Sequence, residues 1–194
     1  MIPTREEAIA LVHEHTASPS LRRHMLAVEA AMRAYARRFG EDEERWGITG
    51  LLHDFDYERW PNEDHAGDRE HPSAGVEILR ERGVDEDILH AIMAHADYTG
   101  VAADTRMARA LRAVDELTGF ITAVALVRPT GLGGMAAKSV RKKMKDRAFA
   151  AAVSREEMTA CCEALGEDMS EHIAFVIGAL QGVAGELGLE GRES

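Results

Sequence analysis

Apolar residues in this chain recur at three- and four-residue spacing and never settle into the alternation that a strand requires. The stretch that stops at Gly40 shows this best: Leu21, Met25, Val28, Met32 and Tyr35 fall on one stripe of a helix. Near the other end, Ile173, Val176, Ile177, Leu180 and Val183 mark a second stripe, in a helix predicted from about Ser170 to Leu187. Capping signals set the boundaries. Thr4-Arg5-Glu6-Glu7 and Ser154-Arg155-Glu156-Glu157 read as capping boxes. Ser20 is placed to cap the second helix, and residues 43 to 52 form a third that ends at His53-Asp54. Pro72 opens a helix running to Gly83, Asp85 caps one that runs through His95, and Thr105 starts another that carries Asp115. The predicted fold class is all-α.

Two stretches break the helical pattern. Residues 55–70, FDYERWPNEDHAGDRE, hold Pro61, Gly67 and many acids without a steady period, and read as a long loop. Pro129 with glycines 131, 133 and 134 forms the second break. A basic island, KSVRKKMKDR, follows at 138–147, and its Lys138, Arg141, Lys142 and Lys145 share one helical face.

Charge and cysteine usage narrow the function. A formal net charge of -11 repels nucleic-acid polymers and anionic lipid, but leaves room for a small anion held at a local cationic site. The two cysteines, Cys161 and Cys162, are adjacent, which disfavours both a disulfide framework and a thiolate zinc site. The N-terminus lacks the basic start and apolar run of a signal peptide, and no apolar stretch approaches the ~18 residues of a membrane span. The expected compartment is the cytoplasm. No Gly-rich phosphate cradle and no Gly-x-Ser-x-Gly is present, which disfavours nucleotide binding of that kind and a serine hydrolase.

Nine histidines remain to be explained. A lone histidine is usually a surface or core residue. His13, His15 and His172 have no companions, and His65 sits among loop acids, where a solvent-facing role is expected. His90 precedes His95 by five residues and points about 140° away from it on a helix. His53-Asp54 is different. Adjacent imidazole and carboxylate at a helix end can reach one divalent ion, because the backbone there is not committed to a single face.

With His24 before the pair and His71, His95 and Asp115 after it, the order resembles the signature of the HD superfamily of metal-dependent phosphohydrolases. The flanks agree: His71 opens HPSAGVEIL, similar to a motif in the branch that cleaves cyclic dinucleotides, and Asp115 lies in RAVDELTG. HDFDYERWP and DELTGFI further resemble a subgroup of predicted HD hydrolases. The resemblance covers residues 20–119. It implies a single HD-type helical bundle over 1–194, with 20–119 as the metal-binding core and 120–194 as a C-terminal extension carrying the basic helix.

It also implies two metal centres: His24, His53, Asp54 and Asp115 on one ion, and His71 and His95 on the other, with Asp54 bridging. Asp54 and His53 are then the catalytic candidates. Ligand type alone leaves Mn, Fe, Co, Ni, Zn and Mg open. The implied activity is hydrolysis of a small nucleotide or other phosphate ester by metal-activated water, with Lys138, Arg141, Lys142 and Lys145 as candidate substrate contacts. The same face reads equally well as a solvated surface. A di-iron oxygenase and a metal-stabilised domain without turnover are the alternatives.

The sequence departs from that family in one place. Where many relatives read His-Asp-Ile-Gly-Lys, this chain reads His53-Asp54-Phe55-Asp56-Tyr57, so a lysine that is a candidate phosphate contact is replaced by Tyr57. Asp56 is open between a loop acid in solvent and a carboxylate that orients a ligand histidine.

Overall fold

A computed structural model describes residues 1–191, and among these there is no strand. The helices are α1 (Arg5–His15), α2 (Pro19–Phe39), α3 (Glu43–Leu52), α4 (Ser73–Glu81), α5 (Glu86–His95), α6 (Arg106–Leu126), α7 (Ala137–Met144), α8 (Arg155–Leu165), α9 (Met169–Gln181) and α10 (Ala184–Leu187), with one 3-10 turn at Asp97–Thr99. None of the described helices is long and apolar enough to cross a membrane. Contacts divide the chain into two units, Met1–Arg112 and Ala113 onwards. The division falls inside α6, a few residues before the 119/120 boundary expected from sequence, and α1 belongs with the first unit.

In the first unit α2 and α3 run antiparallel from the tight turn at Gly40, whose left-handed φ of 69° closes α2. Two glycines allow α3 to lie close against α2. A Cβ at Gly50 would stand 3.0 Å from the carbonyl of Val28 and 3.1 Å from the amide of Glu29, so the two backbones nearly touch there. A Cβ at Gly47 would strike the Arg33 side chain at 2.6 Å. Arg33 crosses this gap to reach Glu29, which is almost fully buried and also takes a two-pronged contact from Arg5 at 2.7 and 3.0 Å. The cluster ties α1 to α2, and Arg33 extends it to Glu44 on α3. Around it, Met25, Val28, Met32, Ile48, Leu51 and Leu52 form the aliphatic core that the periodicity predicted.

Local capping follows the sequence with two corrections, the first being Asp85, which stands at the N-cap of α5 but makes no capping bond because its carboxylate pairs with Arg45 and the N-terminal amine. Thr4 and Glu7 make the reciprocal box, and Asp42 and Ser154 accept from the backbone amides of Arg45 and Glu157. The second helix is capped by Ser18, not Ser20. It begins two residues early because Pro19 suits the first helical position and because Glu58, from the loop, accepts from the amides of Ala17 and Ser18 at 3.0 and 2.8 Å.

In the second unit, α7 and α8 both pack on α9. The long terminal helix expected from Ser170 to Leu187 is broken: α9 ends at Gln181, Gly182 and Val183 turn the chain, and α10 follows. Arg155 organises the segment before α8 by donating to the carbonyls of Ala150 and Val153, each at 2.6 Å. Cys161 and Cys162 are both buried thiols. His172 is buried too, and its Nε2 donates to the carbonyl of Ala113 at 2.9 Å, a core role as expected of a histidine without companions.

Candidate metal centre

The close contact of α2 with α3 at Gly50 sets the site. His24 lies one turn before Val28 on α2, and His53 caps α3 three residues after Gly50, so the antiparallel pair brings the two rings to 5.2 Å between centroids. Asp54 is the next residue, in the turn that leaves α3. His71 arrives from the end of the long loop, and His95 is the last residue of α5.

These five residues of the first unit converge on the Asp54 carboxylate, which divides between two pairs of imidazoles. Its Oδ2 lies 3.7 Å from Nε2 of His24 and 3.4 Å from Nε2 of His53. Its Oδ1 lies 3.4 Å from Nε2 of His71 and 3.6 Å from Nε2 of His95. The latter two nitrogens are 3.3 Å apart. His53, His71 and His95 are buried, and the Asp54 side chain is 16% exposed.

The other ring nitrogens show what this arrangement suits. Nδ1 of His53 donates to the carbonyl of Gly50 at 2.7 Å, Nδ1 of His95 to that of Ile92 at 2.5 Å, and Nδ1 of His71 to Oδ1 of Asp56 at 2.7 Å. Each neutral ring therefore presents a lone pair at Nε2. Three such lone pairs face a carboxylate that has only lone pairs of its own. Protons or cations must lie between them. The separations favour cations: 3.4–3.7 Å is longer than an N–H···O hydrogen bond, whereas two donors each ~2.1 Å from one ion at a tetrahedral angle stand ~3.4 Å apart. The donor set, imidazole nitrogen with a two-oxygen carboxylate, fits divalent metal. Donor atoms of Asp54, His71 and His95 all lie within 4.8 Å of one another.

Electrostatics show a site that draws positive charge. Burial works to raise the pKa of the Asp54 carboxyl, but His53 above all, with His95 and His71, holds it well below the usual carboxylate range. Burial likewise opposes a charged His71, yet the hydrogen bond it donates to Asp56 and the charge of Asp54 raise its pKa above that of a free imidazole.

Asp56, left open by the sequence, is no solvated loop acid. It is 1% exposed, accepts from His71 through Oδ1, and accepts from the amide of Gly75 through Oδ2 at 2.8 Å. The approach requires glycine: a Cβ at position 75 would stand 2.7 Å from Cγ of Asp56. The backbone of His71 is held as firmly. Its amide donates to Trp60 at 2.8 Å, and its carbonyl accepts from Nδ2 of Asn62 at 2.8 Å and from the Tyr98 hydroxyl at 3.1 Å. Burial pushes that hydroxyl up to about 12, which keeps it a donor. Asn62 and Tyr98 went unrecognised in the sequence. The Asn-Glu-Asp run resembled any polar loop, and only Gly75 inside HPSAG signalled that something approaches closely.

Asp115 sits on the second-unit part of α6, where its carbonyl accepts from Thr118 at 2.8 Å. Lys138, Arg141 and Lys142 lie on α7, and Lys145 is its C-cap. All four are exposed, and Arg141 donates to Ser170. His90 pairs with Asp104 at 3.3 Å. His65 is exposed and stacks on Tyr98 at 4.8 Å.

A bundle of helices that delivers histidines and an Asp to one point from a His-Asp pair at a helix end defines a metal-binding all-α domain. Residues 21–119 match the HD domain family, and the chain belongs to it. HD domains bind divalent metals, and the superfamily is one of metal-dependent phosphohydrolases. The chain is similar to ribonuclease Y of Oleidesulfovibrio alaskensis, with 30% identity over 102 residues, which is 53% of this chain and 18% of that protein. No solved structure matches the chain significantly.

Proposed function

We propose that this protein is a phosphohydrolase, a phosphomonoesterase or phosphodiesterase acting on a small phosphate ester such as a nucleotide, with two divalent ions. The observation that carries the reading is the divided carboxylate: each oxygen of Asp54 faces its own pair of imidazoles. His24, His53 and Asp54 would hold one ion, with Asp115 added from its place in the signature, and His71, His95 and Asp54 would hold the other. Bound there, such ions supply Lewis acidity and lower the pKa of a coordinated water.

The protein's own part is orientation and exclusion of solvent. The carbonyls of Gly50 and Ile92 and the carboxylate of Asp56 fix three imidazoles in one tautomer, so that Nε2 would be the atom offered to a metal. Burial of the rings keeps bulk water from competing. Hydrolysis adds water to phosphorus and breaks the bond to the alcohol, which leaves with a proton. The exposed cations of α7 are the candidate substrate contacts on an otherwise acidic protein. The relative is named a ribonuclease, but a net charge of -11 supports a small ester here rather than an RNA chain.

The test is a screen of phosphomonoesters, nucleotides and cyclic dinucleotides with Mn, Fe, Co, Ni, Zn and Mg. Turnover by the wild type and its loss in Asp54→Ala are expected. No turnover in any combination, with oxygen consumed by iron-loaded protein, would replace hydrolysis with oxygenase chemistry.

A further inference from the structure

A cleft of about 460 Å³ opens beside the metal centre and shares His24 with it. Leu21, Tyr57, Pro61, Ser18 and Ser20 also line it. Tyr57 is 47% exposed, although it is large and mostly apolar. Its ring packs T-shaped against that of His71, with centroids 5.1 Å apart. Thus the tyrosine joins the metal centre to the cleft. Among the described residues no Lys or Arg lines the cleft. The charged group that does line it is anionic: Glu58, whose Oε2 is committed to the amides of Ala17 and Ser18.

We infer that this cleft is the subsite for the uncharged organic part of the phosphate ester, and that Tyr57 is its specificity-determining residue. The inference rests on the phosphohydrolase reading above. A phosphoryl group at the ions would place the alcohol portion of the ester against His24 and into the cleft. There a planar apolar group can lie against the Tyr57 ring beside Leu21 and Pro61. A second phosphate would meet the Glu58 carboxylate with no cation to offset it. The substrate class is therefore a monoester of an aromatic or similarly apolar alcohol, nucleosides included, and not a polyphosphate threaded through this cleft.

Calorimetric titration of the metal-loaded protein with phenylphosphonate, methylphosphonate and inorganic phosphate tests this, because phosphonates are not hydrolysed. The expected result is that phenylphosphonate binds wild type about tenfold more tightly than methylphosphonate, as stacking on the Tyr57 ring supplies. Tyr57→Ala should lose that preference, and Tyr57→Phe should keep it. Equal affinity for the two phosphonates in wild type, or a preference that survives Tyr57→Ala, overturns the subsite and leaves the phosphohydrolase reading standing. Failure of all three anions to bind overturns both. A Tyr57→Ala variant that weakens inorganic phosphate as much as phenylphosphonate also overturns the subsite, because Tyr57 would then serve only to position His71.

Discussion

Oδ1 of Asp56 accepts a hydrogen bond of 2.7 Å from Nδ1 of His71, and both groups are buried. The bond turns the far nitrogen of His71 toward Asp54 and makes that nitrogen more basic, as a carboxylate behind a metal-binding imidazole does. The pair makes the DFD run of this chain a functional unit rather than a chance excess of acids.

Replacing Asp56 should therefore weaken metal binding without touching a ligand. Asp56→Ala is expected to lower affinity at the His71–His95 side by about 10- to 100-fold. Asp56→Asn, which can still accept from His71, should lose less. Metal titration followed by calorimetry separates the two. Equal affinity of Asp56→Ala and wild type would show that the hydrogen bond is only structural.

Gly75→Ala should reproduce much of that loss from a different helix. The added methyl would stand 2.7 Å from Cγ of Asp56 and 2.9 and 3.0 Å from its oxygens, so the carboxylate must shift off His71. Overpacking of this kind costs about 1–3 kcal/mol. Reduced metal affinity together with a lower Tm is the expected outcome, and a neutral Gly75→Ala would contradict it.

Gly50→Val acts on the opposite side of the site. Its Cβ would press on the backbone of Val28 and Glu29 and on Met32, and those helical atoms cannot yield locally. Parting α2 from α3 moves His24 away from His53. A loss of about 2–4 kcal/mol by denaturant titration is expected, together with reduced metal content.

Metal removal should be visible in stability alone. Without cations, buried imidazole lone pairs confront the Asp54 carboxylate unless protons are taken up. Ligand linkage gives about 3–4 kcal/mol at 100 to 1,000 times Kd. Treatment with chelator should lower Tm by ~10 °C at this chain length, and readdition of metal should restore it. In Asp54→Ala the chelator should have little effect.

Glu29→Ala tests the scaffold rather than the site. It removes the buried carboxylate between Arg5 and Arg33, which leaves the Arg33 guanidinium, 16% exposed, without its inner partner. A destabilisation of about 2–3 kcal/mol is expected from thermal or urea unfolding. The isolated metal ligands keep their identity, so residual folded protein should still bind metal.

The sequence alone determined the helices and the ligand candidates. Helical periodicity and capping are local, so Leu21 to Tyr35, the Thr4 box and the stop at Gly40 could be read without a partner in view. His24, His53, Asp54, His71 and His95 stood out because chemistry demands those side chains whatever path the chain takes between them. Tertiary structure decided the rest. Ser18 rather than Ser20 caps α2 because Glu58 reaches back across forty residues to its start. The terminal helix breaks at Gly182 although its apolar stripe continues to Val183, since periodicity records which face is buried and not whether the backbone stays straight. Asp56 became a partner of His71 only through the loop that Asn62 ties and the space that Gly75 leaves. Residues far apart in sequence acquire such roles from burial and distance, and neither quantity is encoded in any short stretch of the chain.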